Sequence, residues 1–238
     1  RSTPLYSSAA SDVYKRQPVV VAESIPSTRH CMNVFLTVLS LLFCTALAGT
    51  AADSPAEEFP SGVVQELWFG IPGGSVKDLT HQKVFERPSS DIRKIVRLDA
   101  ENLGDQYGAR YSALLRVPAT GEYRLYLSSD DSAELWLGKD ATQKDMSCIA
   151  TVKGYSDRHN WTNQPNQSSE PVHLEAGKFY FLQVIHKEDG GPDHMSVAWS
   201  GPGIPQPVLV PASALFLPPG MLPEEKPQPQ NLNPSLAE

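Results

Sequence analysis

At 238 residues and a formal net charge of −7, the chain has length for one or two domains and lacks the basic balance that nucleic acid binding needs. Its 21 prolines and 8% aromatic residues suit a loop-rich β protein better than a helical one. The three cysteines, Cys31, Cys44 and Cys148, offer no disulfide framework, because the first two fall before or inside a segment expected to be removed. Cys148 is then expected to be a small buried hydrophobe, with stability coming from a core or a metal.

Residues 1–31 carry no sustained hydrophobic period and are set aside as a non-native or disordered extension. At Met32 the texture changes. Val34 to Ala48 is a nearly unbroken apolar run, followed by the small residues Gly49-Thr50-Ala51-Ala52. The run is shorter than the ~20 residues that span a bilayer, so residues 32–52 predict a secretory signal rather than an anchor. No Lys or Arg directly follows Met32, which departs from the usual pattern. The protein is therefore expected to be exported, to the medium, the periplasm or the cell surface, with no membrane span. Residues 53–61 read as a linker and residues 62–217 as one domain. The Pro-, Gln- and Asn-rich tail at 218–238 cannot offset the entropy of ordering it.

Within the domain, short apolar-alternating runs are separated by Gly/Pro turns. Val63 to Trp68 is a strand candidate ending in Gly70-Ile71-Pro72-Gly73-Gly74, and the stretch around Val76 to Pro88 reads as an irregular connection. Ile92 to Leu98 is a further strand candidate. Tyr111 to Val117 is expected to pair with Tyr123 to Leu127 as a hairpin through Pro118-Ala119-Thr120-Gly121. Next, Tyr123, Leu125 and Leu127, then Ala133, Leu135 and Leu137, alternate with polar residues, predicting two strands facing each other across the acidic hinge Asp130-Asp131. Cys148 to Val152 follows. The long polar loop 154–170 holds Asp157, His159 and Trp161, and loops this long in compact domains are functional or disordered. Phe179 to Ile185 and Met195 to Trp199 are strands flanking a second acidic loop, His186 to Asp193, and Val208 to Phe216 makes a last pass. This spacing predicts an all-β fold, a sandwich or barrel of antiparallel strands with long functional loops.

The run Tyr123 to Leu137, the segment Val172-His173-Leu174-Glu175-Ala176-Gly177-Lys178-Phe179-Tyr180 and the closing Val197-Ala198-Trp199-Ser200-Gly201-Pro202-Gly203 together resemble one family. It is the PA-fourteen domain of anthrax protective antigen, shared with yeast flocculins, adhesins and some glycosidases. The opening Leu67-Trp68-Phe69-Gly70-Ile71-Pro72-Gly73 is similar to the start of secreted bacterial versions. In sugar-binding members two consecutive aspartates joined by a cis peptide hold a Ca²⁺ that bridges to sugar hydroxyls, and Asp130 and Asp131 match that pair. The resemblance thus implies metal ligands at Asp130 and Asp131. The second loop, where those binders carry an asparagine, has Glu188 and Asp189 instead, a change that either keeps oxygen ligation or removes sugar binding. The ligand-contacting set expected is Asp130 and Asp131 together with Asp157 and Trp161 from the long polar loop, with a glycan or polysaccharide as partner.

Each residue also has a plainer reading. Asp130-Asp131 can be a solvated acidic turn, Glu188, Asp189 and Asp193 an ordinary polar loop, and Trp161 a loop anchor instead of a platform for a sugar face. Trp68, Trp136 and Trp199 lie in strand patterns and are expected in or near the core. His159, His173, His186 and His194 show no metal spacing and read as structural or surface groups. No G-x-S-x-G, P-loop, C-x-x-C or nucleotide fingerprint occurs, so no catalysis is expected. The primary expectation is an exported, non-catalytic, Ca²⁺-dependent carbohydrate-binding module. The alternatives are a structural or protein-interaction domain without sugar binding, or a detached module of a larger exported enzyme.

Overall fold

The computed structural model describes residues 59–222, so the N-terminal extension, the predicted signal peptide and most of the tail lie outside the described residues. Alternation along the chain produces strands with one inward and one outward face. These are β1 (Val63–Phe69), β2 (Asp91–Ile95), β3 (Asp99–Glu101), β4 (Tyr107–Arg116), β5 (Gly121–Asp130), β6 (Ser132–Leu137), β7 (Ser147–Val152), β8 (Val172–Leu174), β9 (Phe179–Glu188), β10 (His194–Gly201), β11 (Ile204–Leu209) and β12 (Leu215–Phe216). One sheet runs β2-β1-β4-β9-β6-β7 with β12 beside β4, and the other runs β11-β10-β5-β8 with β3 beside β10. The paired strands are antiparallel.

The core lies between the sheets. Tyr123, Leu125 and Leu127 of β5 and Met195, Val197 and Trp199 of β10 meet Ala113 and Leu115 of β4 and Leu182 and Val184 of β9, all buried. Burial at this density is worth roughly 1.5–3 kcal/mol per large apolar side chain and holds the sheets face to face. Trp68 and Trp199 are in cores, and Trp136 is half-buried against a second cluster on the outer side of the first sheet.

Two pairings expected from the alternation do not form. β4 and β5 are not a hairpin, and β5 and β6 do not face each other, because in both cases the chain passes from one sheet to the other. Alternation reports which side chains face inward and is silent about which strand lies alongside. At the first passage Tyr123 reaches back and its hydroxyl donates to the Ala119 carbonyl at 2.9 Å, fixing the corner. At the second passage sits the acidic pair.

The connection after β1 is more ordered than its sequence suggests. Ser75 caps a one-turn helix, α1 (Val76–Thr80): its hydroxyl accepts from the Asp78 N–H, and the Asp78 carboxylate accepts from the Ser75 N–H at 2.9 Å. Val76 and Leu79 bury against Trp68, Ile71 and Ile185 on the outer face of the first sheet. Gly108 of β4 makes this possible, since a Cβ there would lie 2.4 Å from both Leu79 methyl carbons. Cys148 departs from expectation too: it is exposed on β7, at the edge of the first sheet.

Candidate metal centre

The sandwich has two crossovers side by side at one end. The passage from β5 to β6 goes through Asp130-Asp131, whose shared peptide bond is cis. The passage from β9 to β10 returns through residues 189–193. Register fixes their proximity: Ser132 pairs with Lys187 in the first sheet and Asp130 with His194 in the second. β9 is also longer than the sequence suggests, because His186, Lys187 and Glu188 belong to the strand rather than to a loop. With a period of two, Leu182, Val184, His186 and Glu188 fall on one side of β9, the inward side. The inward row thus changes from aliphatic to ionisable where it reaches the crossovers.

Glu188 is fully buried there. Its Oε2 accepts the Asp131 N–H at 2.8 Å, while its Oε1 is buried without a hydrogen-bond partner. Asp130 and Asp131 are half-buried, and the three carboxylates each offer an oxygen within 4.8 Å of the others. The backbone of the pair is held on all sides. Ser129 Oγ donates to the Asp131 carbonyl at 2.7 Å, and the Asp189 N–H donates to Asp131 Oδ2 at 2.9 Å. His186 Nε2 lies 2.8 Å from the Asp130 carbonyl, which can only accept. Nε2 therefore carries the proton, and Nδ1, 3.4 Å from the Tyr107 hydroxyl, is left to accept. Complete burial agrees with this neutral tautomer, pushing the imidazole down to about 4.

The site is electrostatically uncompensated. Burial, reinforced by Asp131 and Asp130, pushes the Glu188 carboxyl up to about 7, against the opposing Asp131 N–H bond. Burial and then Asp131 and Asp193 raise Asp130 as well. Lys187 is fully buried on the other face of β9, where its ammonium donates to the Glu188 carbonyl at 2.5 Å. Burial holds it below the ordinary lysine value despite the surrounding Asp189 and Asp78.

An all-oxygen, multiply charged donor set suits a hard cation and not a thiophilic or imidazole-seeking one. Ca²⁺–oxygen distances of about 2.3–2.6 Å let ligands of one ion lie up to about 5 Å apart, and these three groups each offer an oxygen within 4.8 Å of the others. A buried carboxylate oxygen with no partner is the group a cation would satisfy. The residues present fit the ion.

Of the expected metal ligands, the structure gathers Asp130, Asp131 and Glu188, and Asp189 is not in that group. The Asp189 carboxylate turns to the loop before α1 and accepts the Gly73 N–H at 2.8 Å. Asp193 is likewise engaged elsewhere, accepting from the Leu103 and Gly104 N–H groups at 2.8 and 3.0 Å. Asp157 pairs within its own loop, its N–H donating to Asn163 Oδ1 at 3.0 Å. Trp161 is half-buried and stacked on His159, ring centres 6.0 Å apart, beside Tyr126 of β5. This places it as a loop anchor over the second sheet. Gly74 is a part of the site that sequence reasoning passed over: a Cβ there would lie 2.8 Å from Asp131 Oδ2. Its sequence trace is the Gly73-Gly74 pair directly before the Ser75 cap.

The fold is an antiparallel β-sandwich with three carboxylates gathered where two sheet-to-sheet crossovers meet. Residues 99–212 match the model of the PA14 domain. The strands β1 and β2, with α1, precede the matched span. The mouse N-acetyl-beta-glucosaminyl-glycoprotein 4-beta-N-acetylgalactosaminyltransferase 1 is 27% identical over 151 residues, covering 60% of this chain and 14% of the relative. Human Fibrocystin-L is 27% identical over 84 residues, 35% of this chain and 2% of the relative. The chain thus spans a small part of the curated relatives it matches. Among solved structures, a PA14 sugar-binding domain from an RTX adhesin aligns with a TM-score of 0.50 at 9% identity, covering 66% of this chain and 98% of that one. The Epithelial Adhesin 6 A domain from Candida glabrata, solved in complex with Galb1-3GlcNAc, aligns with a TM-score of 0.51 at 12% identity, covering 68% and 89%. The PA14 domain of the MpAFP antifreeze protein aligns with a TM-score of 0.50 at 12% identity, covering 69% and 94%. At these identities the likeness speaks to the fold.

Proposed function

We propose that this chain is an exported, non-catalytic carbohydrate-binding module in which Asp130, Asp131 and Glu188 hold a Ca²⁺ whose remaining coordination positions take vicinal sugar hydroxyls. The observation that carries the reading is the convergence of the three carboxylates around the buried, unpartnered Glu188 Oε1. Ca²⁺ takes about 6–8 oxygens, so three carboxylate groups leave room for a diol. The PA14 match and the sugar-bound adhesin with the same fold support that assignment. Asp189 serves as a support, tying the Gly73 loop to the Asp131 carboxylate. The Ser156 N–H donates to the Ser129 carbonyl at 2.8 Å, which brings the neighbouring Asp157 in as a sugar-contact candidate, while Trp161, stacked on His159 beside Tyr126, anchors the loop. Export rests on the apolar run and small residues of 32–52.

The test is calorimetric titration of chelator-stripped protein with Ca²⁺, followed by a glycan array with and without chelator. Binding of calcium, and chelator-sensitive retention on glycans that Asp130→Asn with Asp131→Asn abolishes, is the expected outcome. No heat at millimolar calcium removes the mechanism. A specific protein partner captured equally well in chelator and in free sugar would instead establish the interaction-domain alternative.

A further inference from the structure

The aromatic that the long loop presents to solvent is Tyr155, 67% exposed, whereas Trp161 is packed on His159 as an anchor. An exposed aromatic is ordinary by itself; this one differs in how its backbone is held. Gly154, at φ 69°, turns the chain off the end of β7. Its N–H donates to Ser132 Oγ at 3.0 Å, and the Ser156 N–H donates to the Ser129 carbonyl at 2.8 Å. Ser129 and Ser132 stand on either side of Asp130-Asp131, so these two bonds lay residues 154–156 antiparallel to the acidic crossover and set Tyr155 opposite the pair. Two further bonds tighten the bracket: the Ser129 N–H donates to Ser156 Oγ at 3.1 Å, and Gln164 Nε2 donates to the Tyr155 carbonyl at 2.8 Å. Ser156 is buried with its hydroxyl turned onto β5, so alternation along this extended segment sends the Tyr155 ring the other way, out of the fold. Phe69, Val96, Tyr155 and Val208 are large side chains exposed among the described residues, and of these Tyr155 alone is pinned to both neighbours of the aspartates.

We propose that Tyr155 is the sugar-contacting aromatic of this module, its ring a platform for the C–H face of a pyranose whose vicinal hydroxyls reach the cation centre. This rests on the calcium-dependent reading above and narrows the ligand from any vicinal diol to a ring sugar with an apolar face. The division of work is chemical. A hard cation takes hydroxyl oxygens, and these are alike in a pyranose and in an open-chain polyol. A flat aromatic surface is matched only by the closed sugar, whose axial C–H bonds make a hydrophobic patch. Tyrosine suits the task because it supplies rigid, amphipathic contact area with two side-chain torsions. Its backbone is already held at the Gly154 N–H, the Tyr155 carbonyl and the Ser156 N–H, so little ordering remains to be done on binding. Withdrawing the ring and one sugar face from water amounts to roughly five- to thirtyfold in affinity.

The experiment is an NMR titration of the full chain in millimolar calcium, with methyl pyranosides and with the alditols of the same sugars, on the parent, Tyr155→Ala and Tyr155→Phe. Tyr155→Ala should bind the pyranosides roughly five- to thirtyfold more weakly and the alditols within about twofold of the parent. Tyr155→Phe should keep the parent's pyranoside affinity. The C–H protons of the bound pyranoside should shift upfield with the parent and Tyr155→Phe, and not with Tyr155→Ala. Calcium affinity of Tyr155→Ala, titrated without sugar, should equal the parent's; a lowered value overturns the platform. Unchanged pyranoside affinity in Tyr155→Ala also overturns it, and so does an equal loss for pyranosides and alditols, which marks a structural role. A Tyr155→Phe variant as weak as Tyr155→Ala overturns the face contact in favour of the phenol hydroxyl. All of these leave calcium-dependent binding standing. Pyranoside affinity that depends on Tyr155 and needs no calcium removes the cation reading alone, and no pyranoside binding by the parent overturns both.

Discussion

Glu188→Gln is the most informative single change, because it separates the cost of the empty site from the gain of filling it. Glu188 has an ordinary carboxyl value of 4.5 and is pushed up to about 7 in the fold, chiefly by burial. Between those values the folded protein binds a proton that the unfolded chain has released, so stability falls as pH rises through that window. Below about pH 4.5 both states are protonated and nothing is lost. Above about pH 7 the full difference applies, about 2.5 pKa steps or on the order of 3 kcal/mol. Glutamine has nearly the same shape, can still accept the Asp131 N–H, and turns an amide donor toward the acidic pair. In metal-free protein the variant should match the parent near pH 4.5 and exceed it by on the order of 3 kcal/mol at pH 8. For a domain of this size that is a melting point higher by roughly 6–12 °C. Adding calcium at 100 times its dissociation constant should then raise the parent by about 2.7 kcal/mol and leave the variant almost unmoved. Scanning calorimetry at both pH values, with and without calcium, measures all four quantities. A stability difference that does not change with pH, or equal calcium stabilisation of both proteins, would refute the reasoning.

Two glycine substitutions test the scaffold around the site. Gly74→Ala places a methyl 2.8 Å from Asp131 Oδ2, so the carboxylate must turn away; calcium affinity measured by titration should fall at least about tenfold, while metal-free stability stays within about 1 kcal/mol. Gly108→Ala drives a methyl into both Leu79 methyl carbons at 2.4 Å; denaturant unfolding should show a loss of about 1–3 kcal/mol, partly recovered when Leu79→Ala is added. Unchanged calcium affinity in the first variant, or unchanged stability in the second, would show that the loop before β2 does not pack as described.

Much of the architecture was legible as alternation. Tyr123, Leu125 and Leu127, and later Met195, Val197 and Trp199, announced strands with one apolar face, and those residues do line the core. The acidic pair was legible as a departure from turn chemistry, and its likeness to a sugar-binding family pointed to a cation. Less legible was the short helix α1: its single capping box is a weak signal, and its stability comes from burying Val76 and Leu79 on a sheet that forms from distant segments. The end of β9 reads as loop in the sequence because His186, Lys187 and Glu188 look solvent-seeking. They are strand because Ser132, Ala133 and Tyr107 on the neighbouring strands supply their backbone partners.

From the chain alone came the faces of the strands, the turns between them and the adjacency of two aspartates, since each depends on residues a few positions apart. Tertiary structure decided that β5 and β6 belong to different sheets, and that the third carboxylate, 57 positions beyond Asp131, arrives beside it. It also decided that Glu188, not Asp189, completes the group, because the inward side of β9 carries every second residue into the space between the sheets. A charge on that side is forced out of water by the packing of both sheets, and that confinement is what turns an acidic residue into a candidate ligand.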